Sequence, residues 1–239
     1  RMSPEAPVPV VDVAVNQNDS RLGGAANVAL NLKELGAESI LCTVIGNDNR
    51  GIIFEQLMQE QGLSLDGMLI SNGRKTTTKT RVIADNKHQL RIDEEDTYPI
   101  KVENQFYNLI EKLTHNIDAI ILQDYNKGVL TETIIEKIIS LANSKNIPTV
   151  VDPKKQNFLS YKQCTLFKPN LKEINEGLNT NPDINNFSEI EETTSKLRNI
   201  ISAKAILLTL SNKGIFLNTR SGSKIKKSTT SNVIDVSGA

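Results

Sequence analysis

Tryptophan is absent from this 239-residue chain, and aromatic residues make up only 4% of it, as four Tyr and six Phe. Proteins that grip single-stranded nucleic acid stack bases on several aromatic side chains, so that class of function is disfavoured. Cysteine is also scarce. Cys42 and Cys164 lack metal-ligand spacing and are read as free thiols buried in a reducing compartment. His88 and His115 are far apart and have no acidic or thiol partner at ligand spacing, so they make no metal site. No charge of either sign is in excess. Lys+Arg and Asp+Glu number 28 each, which removes any general attraction to nucleic acid or to an anionic membrane. Anion binding in such a chain is local. The longest apolar runs, such as Ile120-Ile121-Leu122 and Ala205-Ile206-Leu207-Leu208, are too short to span a bilayer. The visible N-terminus has no signal-peptide pattern. The expectation is a cytoplasmic protein with neither a nucleic-acid nor a membrane partner. Ser71, Ser211 and Ser237 lack the Gly-x-Ser-x-Gly setting of a hydrolase nucleophile.

What is present is a long alternation of strand and helix patterns. Residues 8–15 read as a strand, confined by Pro7 and Pro9 to an edge or a strand start. Residues 40–45 read as a buried strand, and a helix is expected over 52–61. The loop between them, Gly46-Asn47-Asp48-Asn49-Arg50-Gly51, has the glycine spacing of a P-loop. Ile52 and Ile53, however, stand where Lys and Ser/Thr are required. Residues 79–84 and 88–93 flank Asp85-Asn86-Lys87 as a polar hairpin. Helices are then expected over 102–113, 132–143 with Thr131 as N-cap, from Leu171 onward, and over 189–200. They alternate with strands at 118–122, 149–151, 165–167 and 205–210, and 215–217 with 224–226 reads as a late hairpin. This rhythm predicts an α/β fold: a mostly parallel central sheet with helices on both faces and a small β layer beside it.

The stretch that organises the rest is Arg21-Leu22-Gly23-Gly24-Ala25-Ala26-Asn27-Val28-Ala29 and the helix it opens. Val28, Leu32 and Leu35 mark one helical face, and Gly36 is a C′ stop. Gly23 and Gly24 then lie at a helix N-terminus, where unpaired N–H groups favour polar or anionic ligands. Asn27 offers a donor and an acceptor to a hydroxyl-rich molecule. A Gly-Gly turn before an ordinary amphipathic helix fits the same residues.

Ligands of open α/β sheets bind beyond the carboxyl ends of the strands, and polar clusters recur there. They are Gln123-Asp124-Tyr125-Asn126-Lys127-Gly128, Asp152-Pro153-Lys154, Lys168-Pro169-Asn170, and the segment from Thr209 to Gly214. Four in succession argue for an enzyme cleft. Asn170 and Glu173 equally form a capping box for the helix that follows them. Asp152 and Lys154 also read as a solvated turn pair. Lys79 and Arg81 alternate onto one face of their strand and can converge on one anion, with Arg91 nearby, or they are exposed solubilising charges.

Gly23-Gly24-Ala25-Ala26-Asn27-Val28-Ala29 resembles the sugar-binding signature of the ribokinase-like (PfkB) carbohydrate kinases. Residues 1–11 and Asp124-Tyr125-Asn126-Lys127-Gly128 are most similar to the D-glycero-D-manno-heptose 7-phosphate kinases, the kinase part of ADP-heptose synthases. The resemblance covers nearly all of the chain. It implies an ATP-dependent transfer of the γ-phosphate to a sugar hydroxyl, with Mg2+, in one ribokinase-like domain over residues 1–239. Strands near 7–15 and 78–93 would form a lid and a possible homodimer contact. The implied sugar side comprises Gly23, Gly24, Asn27, Lys79, Arg81, Arg91, Asp124 and Lys127. The implied nucleotide side comprises Asp152, Lys154, Asn170, Glu173, Thr209, Gly214, Asp235 and Ser237, with Glu173 holding Mg2+, partly through water. Asp235-Val236-Ser237-Gly238-Ala239 is similar to the start of the family's Asp-x-Thr-Gly-Ala-Gly-Asp signature, with Ser237 in place of Thr. Gly238 and Ala239 would belong to the anion-stabilising turn, and the catalytic Asp is expected beyond Ala239. The resemblance also implies a missing first strand before Arg1, and the 239-residue stretch alone is expected to be inactive. A kinase for another sugar or nucleoside, or a non-catalytic sugar-binding homologue, fits the same motifs. A nicotinamide-dependent oxidoreductase is disfavoured, because no strand leads into Gly-x-Gly-x-x-Gly.

Overall fold

The computed structural model describes residues 3–6, 10, 19–84 and 87–228. It divides into two compact units, residues 1–96 and 97–239. The strand expected over 8–15 lies outside the described residues, apart from Val10.

In the first unit, helix α1 (Gly24–Glu34) ends in a Schellman motif, as the Gly36 stop signal requires. The Ala37 amide donates to the Leu32 carbonyl at 3.0 Å and the Gly36 amide to that of Lys33 at 2.9 Å. The buried face differs from the expected one. Ala26 and Ala29 pack with Leu41, Met58 and Leu63, while Leu35 is 84% exposed. Small residues win the core face because they let α1 approach its neighbours closely. Strand β1 (Thr43–Gly46) pairs in parallel with β2 (Met68–Ser71), and α2 (Asn49–Glu60) joins them. Helix α2 begins three residues before its expected start because Asp48 caps it, accepting from the Gly51 amide at 2.8 Å. The expected hairpin is β3 (Thr78–Ala84) against β4 (Lys87–Glu94), antiparallel, with a register shift after Val82.

Among the described residues of the second unit, six strands lie in the order β10-β9-β8-β7-β6-β5. Strands β5 (Ile120–Gln123), β6 (Thr149–Asp152), β7 (Leu166–Phe167) and β8 (Ala205–Thr209) run parallel. Strands β9 (Ile215–Thr219) and β10 (Gly222–Lys226) complete the edge as antiparallel neighbours. Helices α3 (Glu103–Leu113), α4 (Glu132–Ser144), α5 (Leu171–Leu178) and α6 (Phe187–Ile200) connect the strands. Helix α4 shows why the sequence folds this way. Ile134, Ile135, Ile138 and Ile139 recur at helical spacing, and none is more than 3% exposed. Each buries a side chain worth roughly 1.5–3 kcal/mol. Thr131 caps the helix by accepting from the Ile134 amide. Alternation in β8 buries Ile206 and Leu208, whose register partners Phe167 and Phe216 are buried too. Both cysteines are free; Cys164 is buried and Cys42 half-buried. Burial pushes the Cys164 thiol up to about 12 and that of Cys42 to about 11.

Candidate active site

In the first unit, Gly23 caps α1 in extended backbone and offers no side chain to the first-turn amides. A Cβ placed on Gly23 would meet no atom within 4 Å. Among the described residues, neither packing nor dihedral strain therefore demands glycine there. Gly24 differs: its φ is 55°, a conformation glycine adopts without steric cost. Asn27 stands in the first turn of the same helix.

The hairpin arranges its cations differently from a simple alternating set. Lys79 pairs across the ladder with Asp93, and its ammonium lies 3.1 Å from both Asp93 Oδ2 and Glu95 Oε2. Its hydrogen bond to Lys79, with the Lys79 and Arg91 charges beside it, holds the Asp93 carboxyl below its usual range. Arg81 sits directly opposite Arg91 on the same face. Like charges in cross-strand register are destabilising unless something neutralises them. Arg91 reaches Asp93 Oδ1 at 3.1 Å. Arg81, His88, Gln89, Leu90 and Arg91 line a shallow surface depression.

In the second unit the carboxyl ends of β5 to β8 gather most of the remaining candidates. Gln123 and Asp152 are register partners, and Gln123 Nε2 donates to Asp152 Oδ2 at 2.7 Å. Lys168 Nζ, just beyond β7, lies 3.0 Å from Asp152 Oδ1. Lys154 Nζ lies 2.6 Å from Glu173 Oε1. Glu173 Oε2 accepts from the Asn170 amide at 2.9 Å, while Asn170 Oδ1 accepts from the Glu173 amide at 2.8 Å. The capping box read from sequence is thus formed, and a lysine from another loop sits on its carboxylate. Burial opposes the Lys154 charge, but the hydrogen bond and charge of Glu173 outweigh it and raise the Lys154 pKa. Thr209 continues the row: its amide donates to the Pro169 carbonyl at 3.0 Å, and it bridges to Asn170.

Asp124 is more enclosed than an exposed sugar contact would be. It is 2% exposed, and its Oδ2 accepts from the Tyr161 hydroxyl at 2.7 Å and from Asn157 Nδ2 at 3.3 Å. Its Oδ1 accepts from the Asn126 amide at 2.7 Å, which fixes Asn126 at φ 53°. Burial, then the Asp124 charge and hydrogen bond, push the Tyr161 hydroxyl far above its usual range. Lys127 follows in the same loop, half-buried. The loop ends at Gly128 (φ 70°), where a Cβ would strike the Tyr98 carbonyl at 1.9 Å. Gly214 turns the chain between β8 and β9 against the Lys226 backbone. Asp235, Ser237, Gly238 and Ala239 lie outside the described residues.

Sequence reasoning passed over Gln123, Asn157, Tyr161 and Lys168 as individual contributors. Lys168 and Gln123 carried a signal in their position at strand ends. Tyr161 and Asn157 carried none, since each meets Asp124 across more than thirty residues of chain.

The sequence model of the pfkB family carbohydrate kinases matches residues 3–239. The chain belongs to this family. Among curated pfkB-type relatives it is 39% identical to the bifunctional protein HldE of Campylobacter jejuni subsp. doylei, over 100% of this chain and 50% of that protein. It is 35% identical to HldE of Trichlorobacter lovleyi, over 100% of the chain and 48% of that protein. The chain thus spans about half the length of the curated relatives it matches. Among solved structures, Arabidopsis thaliana ribokinase complexed with ribose and ATP matches with TM-score 0.70 and 16% identity, over 95% of this chain and 73% of that one. Escherichia coli phosphofructokinase-2, in its tetrameric inhibited form, matches with TM-score 0.67 and 16% identity, over 85% and 66%. These two likenesses establish the ribokinase-like fold.

Among the described residues no group of three or more His, Cys, Asp or Glu gathers to hold an ion. A single carboxylate, Glu173, at the head of a helix fits Mg2+, which keeps several waters and takes most other oxygens from phosphate.

Proposed function

We propose that the chain is the catalytic region of an ATP-dependent sugar kinase. Its substrate is heptose 7-phosphate, converted to heptose 1,7-bisphosphate in ADP-heptose synthesis for lipopolysaccharide precursors. One observation carries the reading. Asp152 and Lys154 from one loop meet Lys168, Asn170 and Glu173 from the next at the carboxyl ends of adjacent strands, forming two lysine–carboxylate pairs. The identity to HldE proteins supports the heptose assignment, and the family match across both units supports one kinase domain over residues 1–239.

In this reading Lys154 turns toward the nucleotide phosphates, and Asp152, Asn170, Thr209, Gly214, Asp235 and Ser237 shape the nucleotide side. Glu173 holds Mg2+, partly through water. When bound, the ion neutralises charge on the phosphates. Gly238 and Ala239 contribute to the turn whose amides face the transferred phosphoryl group. Gly23, Gly24, Asn27 and Lys127 position the sugar, with Asp124 holding the Asn126–Lys127 loop through the Asn126 amide, and the Arg81–Arg91 pair, with Lys79 beside it, meets the phosphate that the sugar already carries. Phosphoryl transfer asks the protein mainly for positioning and electrostatic stabilisation, which these groups provide. The hairpin serves as lid and as a homodimer contact. Charged sugar phosphates and ATP place the work in the cytoplasm.

The test is ADP release by the whole protein that carries this chain, with heptose 7-phosphate, fructose 6-phosphate, ribose and adenosine at matched concentrations. Turnover confined to the heptose phosphate is expected. Turnover on another sugar would remove the heptose assignment and keep the kinase. No turnover with any of them, alongside measurable sugar binding, would favour a binding protein.

A further inference from the structure

We infer that Lys154 is a stand-in cation on Glu173, which it yields when a nucleotide brings a divalent ion. The inference rests on the nucleotide-side reading above. Glu173 is 9% exposed, and both its carboxylate oxygens are engaged, Oε1 by Lys154 and Oε2 by the Asn170 amide. The two bonds are not equally dispensable. The Asn170 bond is half of the capping box, and losing it leaves the Asn170 amide at the head of α5 without its acceptor. The Lys154 bond comes from a loop 19 residues earlier, on a flexible side chain that is 38% exposed. Lys154 can leave without disturbing the helix.

A carboxylate this enclosed is costly to leave without a cation. Glu173 therefore keeps one in every state, and in the ligand-free chain that cation is Lys154. Lys168 is paired instead with Asp152, at 3.0 Å. A free divalent ion must compete with an ammonium already in contact, so the ligand-free protein resists it. Nucleotide phosphates remove the competition by drawing Lys154 to themselves while delivering their own ion. Binding metal and placing the phosphate-facing lysine thus become one exchange. Metal binds with the nucleotide and not ahead of it.

The experiment titrates Mn2+ alone, without nucleotide, followed by electron paramagnetic resonance, into the native protein, Lys154→Met and Lys154→Met/Glu173→Gln. Lys154→Met is expected to gain one Mn2+ site at least about tenfold tighter than any in the native protein, the worth of roughly one charge-assisted contact. The double variant is expected to lose that gain. Circular dichroism and melting establish that each variant folds, and Lys154→Gln replaces the Met variant if it does not. A folded Lys154 variant with no gain, or a gain that survives Glu173→Gln, overturns the inference. Adding ATP to the native protein reports separately on the nucleotide-side reading. If ATP fails to tighten Mn2+ there while Lys154→Met still gains its site, the nucleotide assignment falls and the cation seat on Glu173 stands.

Discussion

Gly23 and Gly24 are indistinguishable in the sequence, and the backbone separates them. Gly24 needs its positive φ, so Gly24→Ala should cost about 1–2 kcal/mol of stability, read from chemical denaturation. Gly23 has an ordinary φ of −128°, and among the described residues no atom stands within 4 Å of where its Cβ would be. Gly23→Ala should leave stability within about 0.5 kcal/mol while raising KM for the sugar about tenfold or more. An unchanged KM in a stable Gly23→Ala protein would mean that no ligand approaches this backbone. Asp124 makes the complementary case. Its loop was legible as a polar cluster beyond a strand, but its partners Tyr161 and Asn157 were not, because nothing local ties them to it. Tyr161→Phe leaves one buried carboxylate lone pair without its donor. A loss of about 1–3 kcal/mol is expected, with sugar KM within about twofold of native. A large KM change at full stability would instead put Tyr161 at the substrate.

At the scale of elements, the helices and the four parallel strands of the second unit were legible because caps and apolar periodicity agree there. Thr131 and the Asn170–Glu173 box sit where their spacing puts them. Strand β2 was missed, since Met68-Leu69-Ile70-Ser71 is short and only its parallel pairing with β1 defines it. The P-loop-like segment has a different purpose from the one its glycines suggest. Asp48 accepts from the Gly51 amide at 2.8 Å and, through its other oxygen, from the Thr76 amide at 2.9 Å. Thr76 in turn accepts from the Gly46 amide at 2.9 Å. One carboxylate therefore joins the start of α2 to the root of the β3–β4 hairpin. A second tie comes from Asp96, which accepts from the Lys75 amide at 2.7 Å at the hairpin's other root. Burial tends to raise the Asp48 pKa, but the amides of Thr76 and Gly51 outweigh it and lower it below 3.8. A carboxylate with a lowered folded pKa stabilises the protein above its unfolded pKa and loses that contribution as pH falls through the folded value. Asp48→Asn can accept only one of the two amide bonds, so it should cost about 1–2 kcal/mol at pH 7. The melting-temperature gap to native should hold at pH 6 and close below about pH 4. A gap that persists undiminished at pH 3 would assign the loss to packing rather than charge.

For the whole molecule, the alternation of strand and helix was enough to read the α/β class, because parallel pairing needs a crossover connection of about a dozen residues or more, most often a helix. The division into two compact units was not readable, since no linker-like composition separates residue 96 from residue 97. The hairpin is the element that a single chain explains least. Among the described residues it is a two-stranded ribbon, which is marginal alone, and it leaves Leu90 and Ile92 about half exposed. Register puts Leu90 beside Val82 and Ile92 beside Thr80, all on the face opposite the Arg81–Arg91 pair. One face thus carries Val82, Leu90 and Ile92, and the other carries Lys79, Arg81 and Arg91 with Asp93 between them. In the lid reading the Arg81–Arg91 face meets the substrate phosphate, and the Leu90–Ile92 face is covered by the same ribbon of a second copy. Sedimentation equilibrium of the native protein should then give twice the chain mass at micromolar concentration. Leu90→Glu with Ile92→Lys should give the monomer mass, because burying two charged side chains in such an interface costs several kcal/mol. The variant should keep its circular dichroism spectrum, since both positions are solvent-exposed within one chain. A native protein that sediments as a monomer at every concentration, or a variant that remains dimeric, would detach the hairpin from assembly and leave only its contact with the ligand.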